Sequence, residues 1–192
     1  DISIYSTRDY ELFTAKQHKI IVGNLIIEET NLQSLSNLSS ITHIVSSLVI
    51  RKNYSLTSIE ELNNLISVGQ HIVISHNESL TIINGLKKLA SIGQQLYITD
   101  NKSLTNLSGF ENLTSVGTYI NISSNENLTT IDAFNNLKTF DSLTIHKNEN
   151  LSSFCGLTAL FQNNPSGPGA YYFGQNLFNP TWQDMINGNC SL

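Results

Sequence analysis

Residues 71–93, HIVISHNESLTIINGLKKLASIG, and residues 95–117, QLYITDNKSLTNLSGFENLTSVG, superpose at a constant offset of 24. Ile72 falls on Leu96, Ile74 on Ile98, Asn77 on Asn101, Leu80 on Leu104, Ile83 on Leu107 and Gly93 on Gly117. A fixed period of that size marks a stack of repeated units, and it outranks any local pattern.

The period extends in both directions. Its L-x-I element recurs at Leu25/Ile27, Leu48/Ile50, Ile72/Ile74, Leu96/Ile98, Ile120/Ile122 and Leu143/Ile145, which makes six units. The step is 24 except from Leu25 to Leu48 and from Ile120 to Leu143, where it is 23. Alternation in L-x-I predicts a strand with Leu48 and Ile50 inward and Val49 outward. After the Asn of each unit, apolar residues return every third position, which suits short straight segments joined at corners. Stacked at about 4.8 Å, each strand would pair in parallel with its copies. The inward residues, worth roughly 1.5–3 kcal/mol each when fully buried, would supply most of the stability.

Three columns follow from that stacking. Asn53, Asn77, Asn101, Asn125 and Asn148 form a predicted structural ladder whose amides satisfy the backbone at a corner and tolerate a left-handed turn. Gly69, Gly93 and Gly117 mark a second tight corner. Lys102 between Glu78 and Glu126, Lys87 facing Glu111, and His76 beside Asp100 would make exposed ion pairs, each worth only tenths of a kcal/mol.

The flanks do not repeat. Residues 1–20 read as an N-terminal cap: Thr7 N-caps a short helix over Arg8–Phe13, with Leu12 and Phe13 pointing inward. The repeats occupy 21–161. Residues 162–192 read as a C-terminal cap, opening with a loop over 162–169 (QNNPSGPG). A helix capped by Asn179 with Pro180 at its first position would then stop near Gly188, with Trp182 over the last repeat. Cys155 and Cys190 flank this segment and suit a disulfide that pins it, which implies an oxidising compartment; two buried free thiols are the alternative.

The motif L-x-I-x-x-N-x-x-L-x-x-I-x-x-L-x-x-L-x-x-V-G resembles the receptor L-domain repeat over about residues 20–160. That repeat occurs in the extracellular parts of insulin and epidermal-growth-factor receptors, in fungal cell-wall proteins and in secreted proteins of Bacteroidetes-type bacteria. The capping segments look most like the bacterial versions. An ordinary leucine-rich repeat places its next Leu two positions after the Asn, whereas Leu80 comes three after Asn77. The resemblance implies a mainly all-β fold, a right-handed β-helix or L-domain-like solenoid of about six 23–24-residue coils with short helical caps at both ends. It also implies binding or adhesion, although no ligand-contact motif of the receptors is matched.

Composition removes several function classes. A net charge of −5 with 13% charged residues lacks the basic stripe that nucleic acid requires. No apolar run approaches the roughly 20 residues of a membrane span. No signal peptide is visible at the polar start, and a trimmed secreted chain would look the same. His71 and His76 have no third ligand at metal spacing, and Asp100, Asp132 and Asp141 fall in different columns, so neither a metal site nor a carboxylate cluster is expected. No catalytic residue and no cofactor is assigned. Ten N-x-S/T sequons include Asn37, Asn112 and Asn121, and three of the ten lie on the inner ladder, so they read as by-products of the repeat.

Two outward surfaces remain. On the L-x-I face, Val49, Val73, Tyr97, Tyr119 and Asn121 form an apolar-aromatic patch rimmed by polar groups, a composition suited to recognition. Exposed Val and Tyr are also good strand formers. Beside the inward Leu of each unit, Ser55, Thr57, Ser79, Thr81, Ser103, Thr105 and Thr129 would make a flat double row of hydroxyls, of the kind that ice-binding proteins present. The expectation is one domain, 1–192, secreted or at the cell surface, binding an unidentified protein or glycan without catalysis. A passive spacer of a surface protein is the alternative, and ice binding through the Ser/Thr rows stands behind it. Neither the ligand nor the oligomeric state is legible.

Overall fold

A computed structural model describes residues 1–164 and 169–192. The strands are β1 (Ile2–Ile4), β2 (Ile20–Ile21), β3 (Leu25–Glu28), β4 (His43–Ile44), β5 (Leu48–Arg51), β6 (Ser67–Val68) and β7 (His71–Ser75). They continue with β8 (Ser91–Ile92), β9 (Gln95–Thr99), β10 (Ser115–Val116), β11 (Tyr119–Ser123), β12 (Ser142–His146) and β13 (Ala170–Gly174). Three α-helices accompany them: α1 (Thr7–Thr14), α2 (Thr158–Asn163) and α3 (Trp182–Asn187).

From β2 to β11 the chain alternates between two sheets. The larger has eight strands in the order β1-β3-β5-β7-β9-β11-β12-β13, and the smaller has five in the order β10-β8-β6-β4-β2. Every pairing between these strands is parallel. Leu25 pairs with Leu48, Leu48 with Ile72, Ile72 with Leu96 and Leu96 with Ile120, so the sequence period reappears as strand register. Parallel strands buried on their inner side need apolar residues at every second position. Leu48, Ile50, Ile72, Ile74, Leu96, Ile98, Ile120 and Ile122 meet that need and have no solvent exposure.

The expected fold class requires correction. The strands do not make an all-β right-handed β-helix: they form two open sheets, with helical segments in the connections, an α/β-type arrangement in which strand is 28% of the chain. The cause lies in the three-residue apolar spacing that follows each Asn. The last of each run, such as Val68, Ile92 or Val116, pairs in the smaller sheet, but those before it are buried through turns and short 3-10 helices at Glu60–Leu62, Asp132–Phe134 and Cys155–Leu157. At three residues per turn such a helix returns its first and fourth side chains to one side, so Ile59 and Leu62, or Ile131 and Phe134, are buried together.

The glycine column has a steric cause and no left-handed backbone. A Cβ on Gly93 would stand 1.9 Å from the Gly69 carbonyl oxygen, and one on Gly117 would stand 1.9 Å from that of Gly93. Gly85 and Gly109, which the period did not single out, face carbonyls of Ile59 and Ile83 as closely.

Both flanks depart from expectation. β1 continues the larger sheet, with Ile2 opposite Leu25. Ser6, not Thr7, caps α1, its hydroxyl accepting from the Asp9 N–H at 3.1 Å. Tyr10 and Thr14 face the core, while Leu12 points to solvent at 63% exposure. Tyr10 donates a hydrogen bond to the Ser36 carbonyl. Burial, followed by the negative charge of Glu61, pushes its phenol well above the ordinary tyrosine range.

At the other end, the expected loop over 162–169 begins inside α2, and its residues 165–168 lie outside the described residues. β13 then extends the larger sheet, Tyr171 opposite Leu143 and Phe173 opposite Ile145. Thr181, not Asn179, caps α3 through a reciprocal capping box with Asp184, and Gly188 ends the helix at φ 80°. Trp182 packs on Phe161 and Tyr171, with ring centroids 5.2 and 5.9 Å away. Cys155 and Cys190 form a disulfide that closes 35 residues and ties the chain end to the last repeat.

Candidate functional site: the outer face of the eight-stranded sheet

Alternation fixes what this sheet shows to solvent. Parallel register places Val49, Val73, Tyr97 and Asn121 in one outward row that continues into Thr144 and Tyr172. Tyr119 stands in the adjoining row, opposite Gln95 and Ser142, with His71 one strand further on. The five residues singled out from sequence therefore share one face, and all five are half-buried. Tyr97 and Tyr119 meet edge to face at 5.7 Å, and the Tyr97 hydroxyl donates to Gln95 Oε1 at 3.0 Å.

A second aromatic pair, absent from the sequence reading, lies at the far end of the face. His146 on β12 and Tyr172 on β13 have ring centroids 6.4 Å apart. Tyr172 is 55% exposed. Burial, then the positive charge of Lys147, lowers the His146 imidazole below its ordinary range, favouring the neutral ring.

Electrostatically the face is quiet. The strands of this sheet carry only two charged residues, Glu28 and Arg51, and these pair with each other at 2.8 Å on β3 and β5. The Arg51 hydrogen bond holds the Glu28 carboxyl below its ordinary range, against the opposing pull of burial. Two polar atoms of the face are shielded from solvent and have no hydrogen-bond partner: His71 Nδ1 and Asn121 Oδ1. A shielded, unpaired polar atom costs about 1–3 kcal/mol, a local cost carried beside the two tyrosines.

The asparagine ladder is structural and longer than its five expected members. In Asn53, Asn77, Asn101, Asn125 and Asn148, Oδ1 accepts the backbone N–H of the ladder residue before it, and Nδ2 donates to a strand carbonyl, such as Ile74 for Asn101. Asn176 accepts from the Asn148 N–H at 3.1 Å and extends the ladder, while Thr30 receives its first rung. The left-handed residue is the one before each Asn: Lys52, His76, Asp100, Ser124 and Lys147 have φ of 55–57°. The amide thus stitches a turn whose strain its neighbour carries.

The Ser/Thr positions do not make a flat double row on strands. Ser55, Ser79 and Ser103 sit half-buried in turns after the ladder Asn. Thr57, Thr81, Thr105 and Thr129 form one exposed row, but each hydroxyl donates to the carbonyl one repeat back, as Thr105 does to Thr81 at 3.1 Å. Those carbonyls also accept backbone N–H groups, so the hydroxyls fill second lone pairs. Of the expected ion pairs, His76 Nε2 stands 3.8 Å from Asp100 Oδ2, whereas the Lys102 and Lys87 pairs are not among those of the described residues. Among the described residues, no group of three or more His, Cys, Asp and Glu is placed to hold a metal ion, and no helix is long and apolar enough to cross a membrane.

No family model, curated protein or solved structure matches the chain.

Proposed function

We propose that the protein is a non-catalytic recognition module, secreted or displayed at a cell surface, that binds a protein or glycan through the outer face of its eight-stranded sheet. The observation that carries this reading is the face between β5 and β11. Its strands are uncharged beyond Arg51, and it gathers Val49, Val73, Tyr97 and Tyr119. Recognition surfaces favour aromatic anchors and few charges at their centre. The Cys155–Cys190 disulfide supports an oxidising compartment, and the resemblance of the repeat motif to that of secreted proteins points the same way.

Binding of the wild-type protein and of Tyr97→Ala to combined protein and glycan arrays tests the reading. The expected result is a set of hits that weaken or disappear in the variant. An unchanged hit list removes this face from consideration.

A further inference from the structure

From the same face, and resting on the reading above, we infer that the ligand is a neutral glycan chain lying across the strands from β9 to β13. Two aromatic pairs bracket the track: Tyr97 with Tyr119 on β9 and β11, and His146 with Tyr172 on β12 and β13. Three inter-strand steps separate Tyr97 from Tyr172 along the outward row, about 14 Å at parallel-sheet spacing. Between them the row carries Asn121 and Thr144, both half-buried.

Sugar rings present apolar C–H faces and a rim of hydroxyls. Aromatic rings suit the first, and the polar strip suits the second. Charge favours a neutral ligand: from β7 onward the strands of this sheet carry no Asp, Glu, Lys or Arg, and the charges of Asp100 and Lys147 stand just beyond the ends of β9 and β12. The spacing sets a minimum length. A disaccharide engages one aromatic pair, whereas a hexasaccharide reaches both.

Isothermal titration with cellohexaose, mannohexaose and xylohexaose, their disaccharides, and polygalacturonate as the charged probe tests the inference. At least one neutral hexasaccharide binds roughly tenfold or more tightly than its disaccharide, and Tyr97→Ala and Tyr172→Ala each weaken it by about tenfold. Both tyrosines point outward, so thermal unfolding of each variant verifies that the fold is kept. If no neutral oligosaccharide binds, if the disaccharide binds as tightly, or if neither substitution matters, the inference is overturned. A protein ligand lost in Tyr97→Ala also overturns it but leaves the recognition face standing; array binding untouched by Tyr97→Ala removes both.

Discussion

Asn101 holds Asn77 by its own backbone: Asn101 Oδ1 accepts the Asn77 N–H at 3.1 Å while Asn101 Nδ2 donates to the Ile74 carbonyl at 2.9 Å. One fully buried amide thereby joins neighbouring repeats at the turn where Asp100 carries φ 57°.

Replacing Asn101 by Ala leaves at least one buried donor and one buried acceptor unpaired, at about 1–3 kcal/mol for each group. A loss of about 3 kcal/mol in urea unfolding, with an unchanged slope, is the expected outcome. Asn101→Asp loses more at neutral pH than at pH 3, because the carboxylate cannot donate to Ile74 and is costly to bury charged.

Gly93→Ala tests the close approach in the smaller sheet. Its Cβ would meet the Gly69 carbonyl, which is backbone and cannot rotate aside. Overpacking of this kind costs about 1–3 kcal/mol. Ser91→Ala, half-buried on β8 two residues earlier, serves as the control and stays within about 0.5 kcal/mol of wild type in thermal unfolding.

Glu28 and Arg51 predict acid sensitivity. The hydrogen bond from Arg51 depresses the folded-state pKa of Glu28, so the pair stabilises fully above the unfolded carboxyl value near 4.3, and that contribution is lost as pH falls through the lower folded value. Arg51 is 48% exposed, which limits the pair through solvent screening. Arg51→Met therefore costs up to about 1 kcal/mol at pH 7, and that cost shrinks as pH falls below the unfolded carboxyl value, as urea midpoints across pH will show.

Tyr10 gives the opposite sign at the alkaline end. Burial raises its folded pKa, so it favours the folded state below the unfolded phenol value near 10, and stability is lost as pH rises beyond that value. Its phenolate absorbance should emerge together with unfolding. Tyr10→Phe removes the bond to the Ser36 carbonyl and should shift the alkaline midpoint upward while lowering stability at pH 7 by about 1 kcal/mol.

Periodicity made the inward columns legible, because burial demands an apolar residue at the same step in every unit, as at Ile72, Leu96 and Ile120. The cysteine pairing was legible for a similar reason, two thiols flanking one segment. The fold class was not. A three-residue apolar spacing says which side chains are buried but not whether hydrogen bonds run between strands or within 3-10 turns, as at Asp132–Phe134. Tyr171-x-Phe173-x-x-Asn176 fits the L-x-I-x-x-N frame with aromatics in place of aliphatics, and was missed because its step from Leu143 is 28. Of the candidate face, Tyr97 and Tyr119 could be read from alternation, whereas the His146–Tyr172 pair required the register of β13.

The recognition face is tested most directly by amide chemical-shift mapping, with the strongest array ligand added to isotope-labelled protein. The account predicts perturbations concentrated at His71–Ser75, Gln95–Thr99, Tyr119–Ser123, Ser142–His146 and Ala170–Gly174, and absent from Tyr97→Ala. Perturbations centred instead on the row of Thr57, Thr81, Thr105 and Thr129 would contradict it.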